Sequence, residues 1–173
     1  VWSEVDLGGD KADALLALLG LSGLPHVTID NAIVAHESRI RRTLVPSLLA
    51  RIEQNRRHRE VVRLFEIGKG YLPERANAAH EPEERHLATL LLATPSRAAD
   101  VHFHANSFSE LAGTVSDVLA TLERPEVTWD QQGEAPPWAH PVRWLSARYP
   151  SGQIAAVLAS VRPDVLSQLG LKG

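Results

Sequence analysis

The sequence predicts an α+β domain in which an antiparallel sheet is flanked by helices. Three observations lead there: apolar stripes of helical period at 44–52 and 108–122, β-branched and aromatic runs at 61–71 and 142–161, and polar or hairpin-like links between the strand-like runs. Such links suit antiparallel neighbours packed under helices, whereas parallel strands would need helical crossovers. At 173 residues, 44% hydrophobic and 23% charged, the chain reads as one domain over 1–173 with enough apolar content to form a core.

Asp10 is a candidate N-cap for the apolar run Ala12 to Leu19, with Gly20 as the left-handed stop, so a short buried helix is expected there. His26 to Asp30 follows Pro25 with β-branched residues at 27, 28 and 29 and predicts a strand. From Leu44 to about His58, residues 44, 45, 48, 49 and 52 repeat at helical spacing, and Pro46 fits because it falls in the first turn. Val61 to Tyr71 predicts a strand, and Gly68 with Gly70 predicts a bend in it or a close neighbour. Its expected partner is Arg85 to Thr94, across an exposed polar loop, Pro73 to Glu84. Ser107 to Glu123 predicts a helix whose stripe is Phe108, Leu111, Ala112, Val115, Val118, Leu119 and Leu122, entered through a Ser107/Glu110 capping box. After the turn-rich segment 131–141, Val142 to Tyr149 and Gln153 to Val161 predict a hairpin about Pro150-Ser151-Gly152, and Pro163 starts a last helix ended by Gly170.

The absence of cysteine excludes disulfides, thiol nucleophiles and thiolate metal sites. No apolar run approaches the ~20 residues of a membrane helix, and no basic segment leads into an apolar one, so neither a span nor a signal peptide is read and a cytoplasmic location is expected. Methionine is also absent, and both ends read as cuts in a longer chain. The net charge is -3, yet residues 37–63 hold eight arginines against three glutamates, a local excess of five positive charges that leaves the remainder at -8. That asymmetry speaks about partners, not fold.

Catalytic motifs are few. Neither a G-x-S-x-G elbow nor a P-loop occurs. Gly68-Lys69-Gly70 is open to two readings, a phosphate cradle or a strand irregularity. His102 and His104 would share one side of a strand, as metal ligands do, and with an acidic residue could serve a metal-dependent hydrolase; the plainer reading is two surface histidines. His80 and His86, among Glu81, Glu83 and Glu84, read either as ligands or as a solvated acidic loop. The arginines carry the strongest signal: guanidinium groups recurring across turns can meet phosphates or carboxylates bidentately, or form a solvated helix face. Arg39, Arg41, Arg42, Arg56, Arg57 and Arg59 are the candidates for contact with a partner protein or RNA.

Ser38 to Leu72, read as R-I-R-R-T-L-V-P-S-L-L, a helix, then V-R-L-F-E-I-G-K-G-Y-L-P, resembles the beta chain of phenylalanyl-tRNA synthetase. That family shows L-R-T-S-L-L-P-G-L-L, a helix, and L-F-E-I-G-R-V-F. Arg42, Thr43, Pro46, Leu48, Leu49, Leu64, Phe65, Glu66, Ile67 and Gly68 carry the match. Weaker likenesses follow in the same order: Trp2-Ser3-Glu4-Val5, Asn31-Ala32, Phe103 to Gly113, His140-Pro141 with Arg143, and Arg162-Pro163-Asp164-Val165. Departures include Ala112 for a lysine and Val142 for a glycine.

The resemblance implies a class II aminoacyl-tRNA synthetase-like core, lacking its C-terminal part, that packs on a catalytic alpha chain. It implies a non-catalytic part of a phenylalanine–tRNA ligase, with the alpha chain and tRNA as partners. ATP and magnesium are expected at the alpha chain, and no cofactor in this one. In catalytic class II cores an arginine at the end of the first strand of a strand-loop-strand motif holds the ATP phosphate; the matching position here is Leu72, which cannot. A free-standing paralogous module binding RNA or a regulatory protein through the arginine-rich helix is the alternative expectation.

Overall fold

The computed structural model describes residues 10–32, 38–95 and 101–171, with 10–12 and 101–105 described for their backbone alone. The fold is mixed α+β, with antiparallel sheets flanked by helices, consistent with a class II synthetase-like core. The chain divides into two compact units, Val1–Thr94 and Pro95–Gly173.

In the first unit, helix α1 (Asp10–Leu18) buries Leu15 and Leu16, with Leu19 buried just beyond it, and Gly20 ends it in the left-handed region at φ 69°. Helix α2 (Val45–Arg56) has Pro46 in its first turn and buries Pro46, Leu48, Leu49 and Ile52, the face its spacing foretells. Strands β1 (Val62–Leu72) and β2 (Glu83–Ala93) pair antiparallel in unbroken register from Val62↔Ala93 to Leu72↔Glu83, and α2 packs on both. A 3-10 turn, Pro73–Arg75, opens the connecting loop. Asn77 organises its tip: the Asn77 Oδ1 accepts from the Ala79 and Glu81 amides at 2.9 and 3.0 Å, and His80 is held at φ 62°. The strand expected at 26–30 is instead a single bridge, Thr28↔Arg39, flanked by Ile29 N–H to Ser38 O and Ile40 N–H to Val27 O. The chain turns at Asp30 and Asn31, directly after this run.

In the second unit, helix α3 runs Val101–Thr121 and packs on a three-stranded antiparallel sheet of order β3 (Thr128–Asp130), β4 (Ala139–Arg148), β5 (Ile154–Val161). The helix begins six residues before Ser107, so Ser107 lies inside it and is not its N-cap, which corrects the capping-box expectation. The short strand β3, just before the turn-rich segment 131–141, falls where the sequence predicts no element; Arg148 ties it to β4 by donating to Asp130 at 3.2 Å and to the Gln132 carbonyl at 2.8 Å. The expected β4–β5 hairpin turns at Gly152, φ 83°, and β4 starts three residues earlier than read, with its register disturbed between Ala139 and Trp144 where Pro141 cannot donate. Ala139, Trp144, Ala147, Leu158 and Val165 of the short helix α4 (Pro163–Gln168) form the buried centre. Among the described residues, no helix is long and apolar enough to cross a membrane.

Candidate functional site

The strand-loop-strand platform of β1 and β2 and the arginines around it form the candidate site. Segment 38–42 runs close beside β1, with the Tyr71 amide donating to the Arg41 carbonyl at 3.0 Å. Two glycines permit that approach. A Cβ on Gly70 would lie 2.3 Å from the Arg42 carbonyl oxygen, and a Cβ on Gly68 would lie 2.3 Å from Arg41 Nη2. The Gly68-Lys69-Gly70 run therefore admits a close neighbour, and the space a phosphate would need is filled by the chain's own arginine.

Arg41 and Glu66 are the most buried ions on the platform. The Arg41 Nη1 donates to Glu66 Oε1 at 2.5 Å and its Nε donates to the Lys69 carbonyl at 3.0 Å, with both side chains about 95% removed from water. Glu66 sits on the inward-facing alternation of β1 between Leu64 and Gly68, the place where a carboxylate is tolerated only if a cation reaches it. Its Oε2 is buried with no hydrogen-bond partner among the described residues.

Arg42 forks onto Glu74. Its Nη1 donates to Glu74 Oε2 at 2.8 Å and to the Pro25 carbonyl, while Nη2 reaches Glu74 Oε1 more closely still. This clamps the 3-10 turn after β1. The hydrogen bonds from Arg42 hold the Glu74 carboxyl at about 2, below its ordinary 4.5. Because the folded value is depressed, the clamp's contribution is complete above pH 4.5 and fades as pH falls toward about 2. Accordingly, the stability difference between wild type and Glu74→Gln, followed by urea unfolding, shrinks across that acid window and is constant above it.

The six arginines singled out by the sequence separate into groups. Arg41 and Arg42 point inward and are held by Glu66 and Glu74; Arg39 donates to Asp13 at 2.5 Å with a third of its side chain exposed. Arg56, Arg57 and Arg59 are exposed at the C-terminal end of α2, where Arg57 pairs with Glu53 at 3.1 Å. Glu66 enters the sequence reading only through the family resemblance, and Glu74 and Asp13 not as candidates at all, although a lone glutamate on the inward side of an apolar strand is itself a sequence signal for a buried partner.

At the end of β1, Leu72 is buried opposite Glu83. The nearest loop and strand arginines, Arg75 and Arg85, both meet Glu83, at 3.6 and 2.8 Å. Lys69 pairs with Glu84 at 2.6 Å, and His86 stands across from Lys69. His102 and His104 fall on α3, where residues two apart do not share a face, so the strand placement that made them candidate ligands is corrected; their side chains lie outside the described atoms. Among the described residues no three His, Cys, Asp or Glu groups are arranged to hold a metal ion.

The mixed α+β fold, with antiparallel sheets flanked by helices, is consistent with a class II synthetase-like core, and no catalytic or cofactor-binding group is evident among its described residues. The chain belongs to the phenylalanyl-tRNA synthetase beta chain family: residues 10–173 match that family's CLM domain. It is also 34% identical over 133 residues to the phenylalanine–tRNA ligase beta subunit of Anaeromyxobacter dehalogenans (strain 2CP-C), an alignment covering 73% of this chain and 16% of that subunit. The chain thus spans about a sixth of the relative's length. The match to 10–173 leaves the likeness of Trp2-Ser3-Glu4-Val5 outside both the family match and the described residues.

Proposed function

We propose that this chain is a non-catalytic core domain of a phenylalanyl-tRNA synthetase beta chain, supporting ATP-dependent attachment of phenylalanine to tRNA by seating a catalytic alpha chain. One observation carries the reading: the outward face of β1 presents Phe65 and Ile67 at 69% and 75% exposure. Their register partners on β2, Leu90 and Ala88, extend the same apolar face. Large apolar side chains left this open on a sheet call for a covering surface. Leu72 at the end of the same strand supports a scaffolding role over nucleotide binding, because an apolar side chain offers a triphosphate neither charge nor a donor.

Co-purification with an alpha chain from the same source tests the proposal. Association is expected to survive high salt, since apolar burial is little screened. Phe65→Ser with Ile67→Ser is expected to abolish co-purification while leaving the unfolding midpoint of the isolated chain within about 0.5 kcal/mol of wild type, because neither side chain is buried in it. Loss of binding only on adding salt, or unchanged binding by the double variant, would remove the reading.

A further inference from the structure

We infer that the side of α3 turned away from its sheet is a docking surface for a basic amphipathic helix of a partner protein. Ser116 marks the side that meets the sheet, with the indole Nε1 of Trp129 on β3 3.5 Å from its hydroxyl. At about 100° per residue, Val118 and Leu122 stand well round the helix from Ser116, and they are 42% and 61% exposed. Leu122 still belongs to the helical ladder, its amide donating to the Val118 carbonyl at 3.0 Å.

The spacing on that side is that of a seam between helices. Leu111, Val115, Val118 and Leu122 recur at intervals of four, three and four residues, the period with which paired helices keep one stripe in contact. Leu111 and Val115 are half-buried, so the stripe runs from the sheet contact out into the open. Beside it, Thr114 and Thr121 turn their hydroxyls back onto their own helix, donating to the Glu110 and Asp117 carbonyls at 2.8 Å each. With the hydroxyl held by the backbone, what each threonine offers a neighbour is a methyl group. From Ser107 to Leu122 the stripe is about 24 Å long, matching about four turns of a second helix.

Charge selects the occupant. Between 107 and 122 the charged residues are Glu110 and Asp117, both acidic and seven apart, which sets them along one edge of the stripe. The last turn of α3 holds no basic residue, although the carbonyl end of a helix favours one. Just beyond it, Glu123 and Arg124 cancel each other. A helix with lysine or arginine along the matching edge supplies the missing cations. A second copy of α3 brings the same two acids and no cation, so like charges meet. The stripe belongs to the second unit and the apolar face of β1 to the first, so this inference is tested apart from alpha-chain association.

The test uses the whole chain and two fluorophore-labelled peptides of about 16 residues, both with leucine at the a and d positions of a heptad. One carries lysine and the other glutamate at e and g. By anisotropy, the lysine peptide is expected to bind and the glutamate peptide not. Val118→Ser with Leu122→Ser is expected to weaken the lysine peptide by at least about tenfold, with the urea midpoint unchanged. Asp117→Lys is expected to weaken it about threefold and to raise the affinity for the glutamate peptide. Phe65→Ser with Ile67→Ser leaves the affinity at its wild-type value. Failure of the lysine peptide to bind, equal binding of both peptides, unchanged binding by the Val118/Leu122 variant, or loss of binding on changing Phe65 and Ile67 would overturn the inference. So would sedimentation showing a self-association that the Val118/Leu122 variant abolishes, which gives the face to a second copy.

Discussion

Arg41→Ala is expected to lower the stability of the protein by about 3–5 kcal/mol, since it leaves a carboxylate buried without its cation. Glu66 is only 5% exposed and its Oε1 has Arg41 as partner, while its Oε2 has no hydrogen bond among the described residues. Removing the guanidinium also deprives the Lys69 carbonyl of a donor at 3.0 Å. Urea unfolding at neutral pH gives the loss directly. The double variant Arg41→Met/Glu66→Leu separates charge from packing: replacing both ions with apolar groups of similar length is expected to restore most of the stability. Failure of the double variant to recover would mean that the Lys69 carbonyl contact, not the ion pair, dominates.

Gly70→Ala is expected to cost about 2–3 kcal/mol, near the upper range for inserting one methyl group into filled space. The methyl would stand 2.3 Å from the Arg42 carbonyl oxygen and 2.8 Å from Leu87 Cδ1. A backbone oxygen cannot step aside as a side chain does, so segment 38–42 must lift from β1, breaking the Tyr71 amide to Arg41 carbonyl bond. Two measurements check this: the urea midpoint, and hydrogen exchange at the Tyr71 amide, which is expected to quicken selectively. An unchanged exchange rate would show that β1 yields instead of the segment.

Much of the fold was legible because its signals are local. The spacing of Leu48, Leu49 and Ile52 fixes one face of α2, Pro46 marks its first turn, and Gly152 marks the β4–β5 turn. Signals failed where a distant partner decides. Val27 to Ile29 have strand propensity, yet the ladder they join is one bridge long. Strand β3 has only three residues and exists through pairing with Ser146 to Arg148. Ser107 and Glu110 have the spacing of a cap, but nothing in Val101 to Asn106 breaks a helix, so the element began earlier.

The candidate site was half legible for the same reason. The sequence locates the arginine concentration at 37–63. Whether a given arginine faces water or a carboxylate is settled 25 to 32 residues away, at Glu66 and Glu74. Sequence spacing treats Arg41 and Arg59 alike; tertiary placement buries one and exposes the other.

The notch over Gly68 bears on how this domain can diverge. A side chain at 68 is accommodated only if 41 shrinks, and a shorter residue at 41 is tolerated only if 66 gives up its charge. Positions 41 and 66 are therefore expected to change together, and 68 to gain a side chain only after 41 has shortened, so the order in which the three can be replaced is constrained.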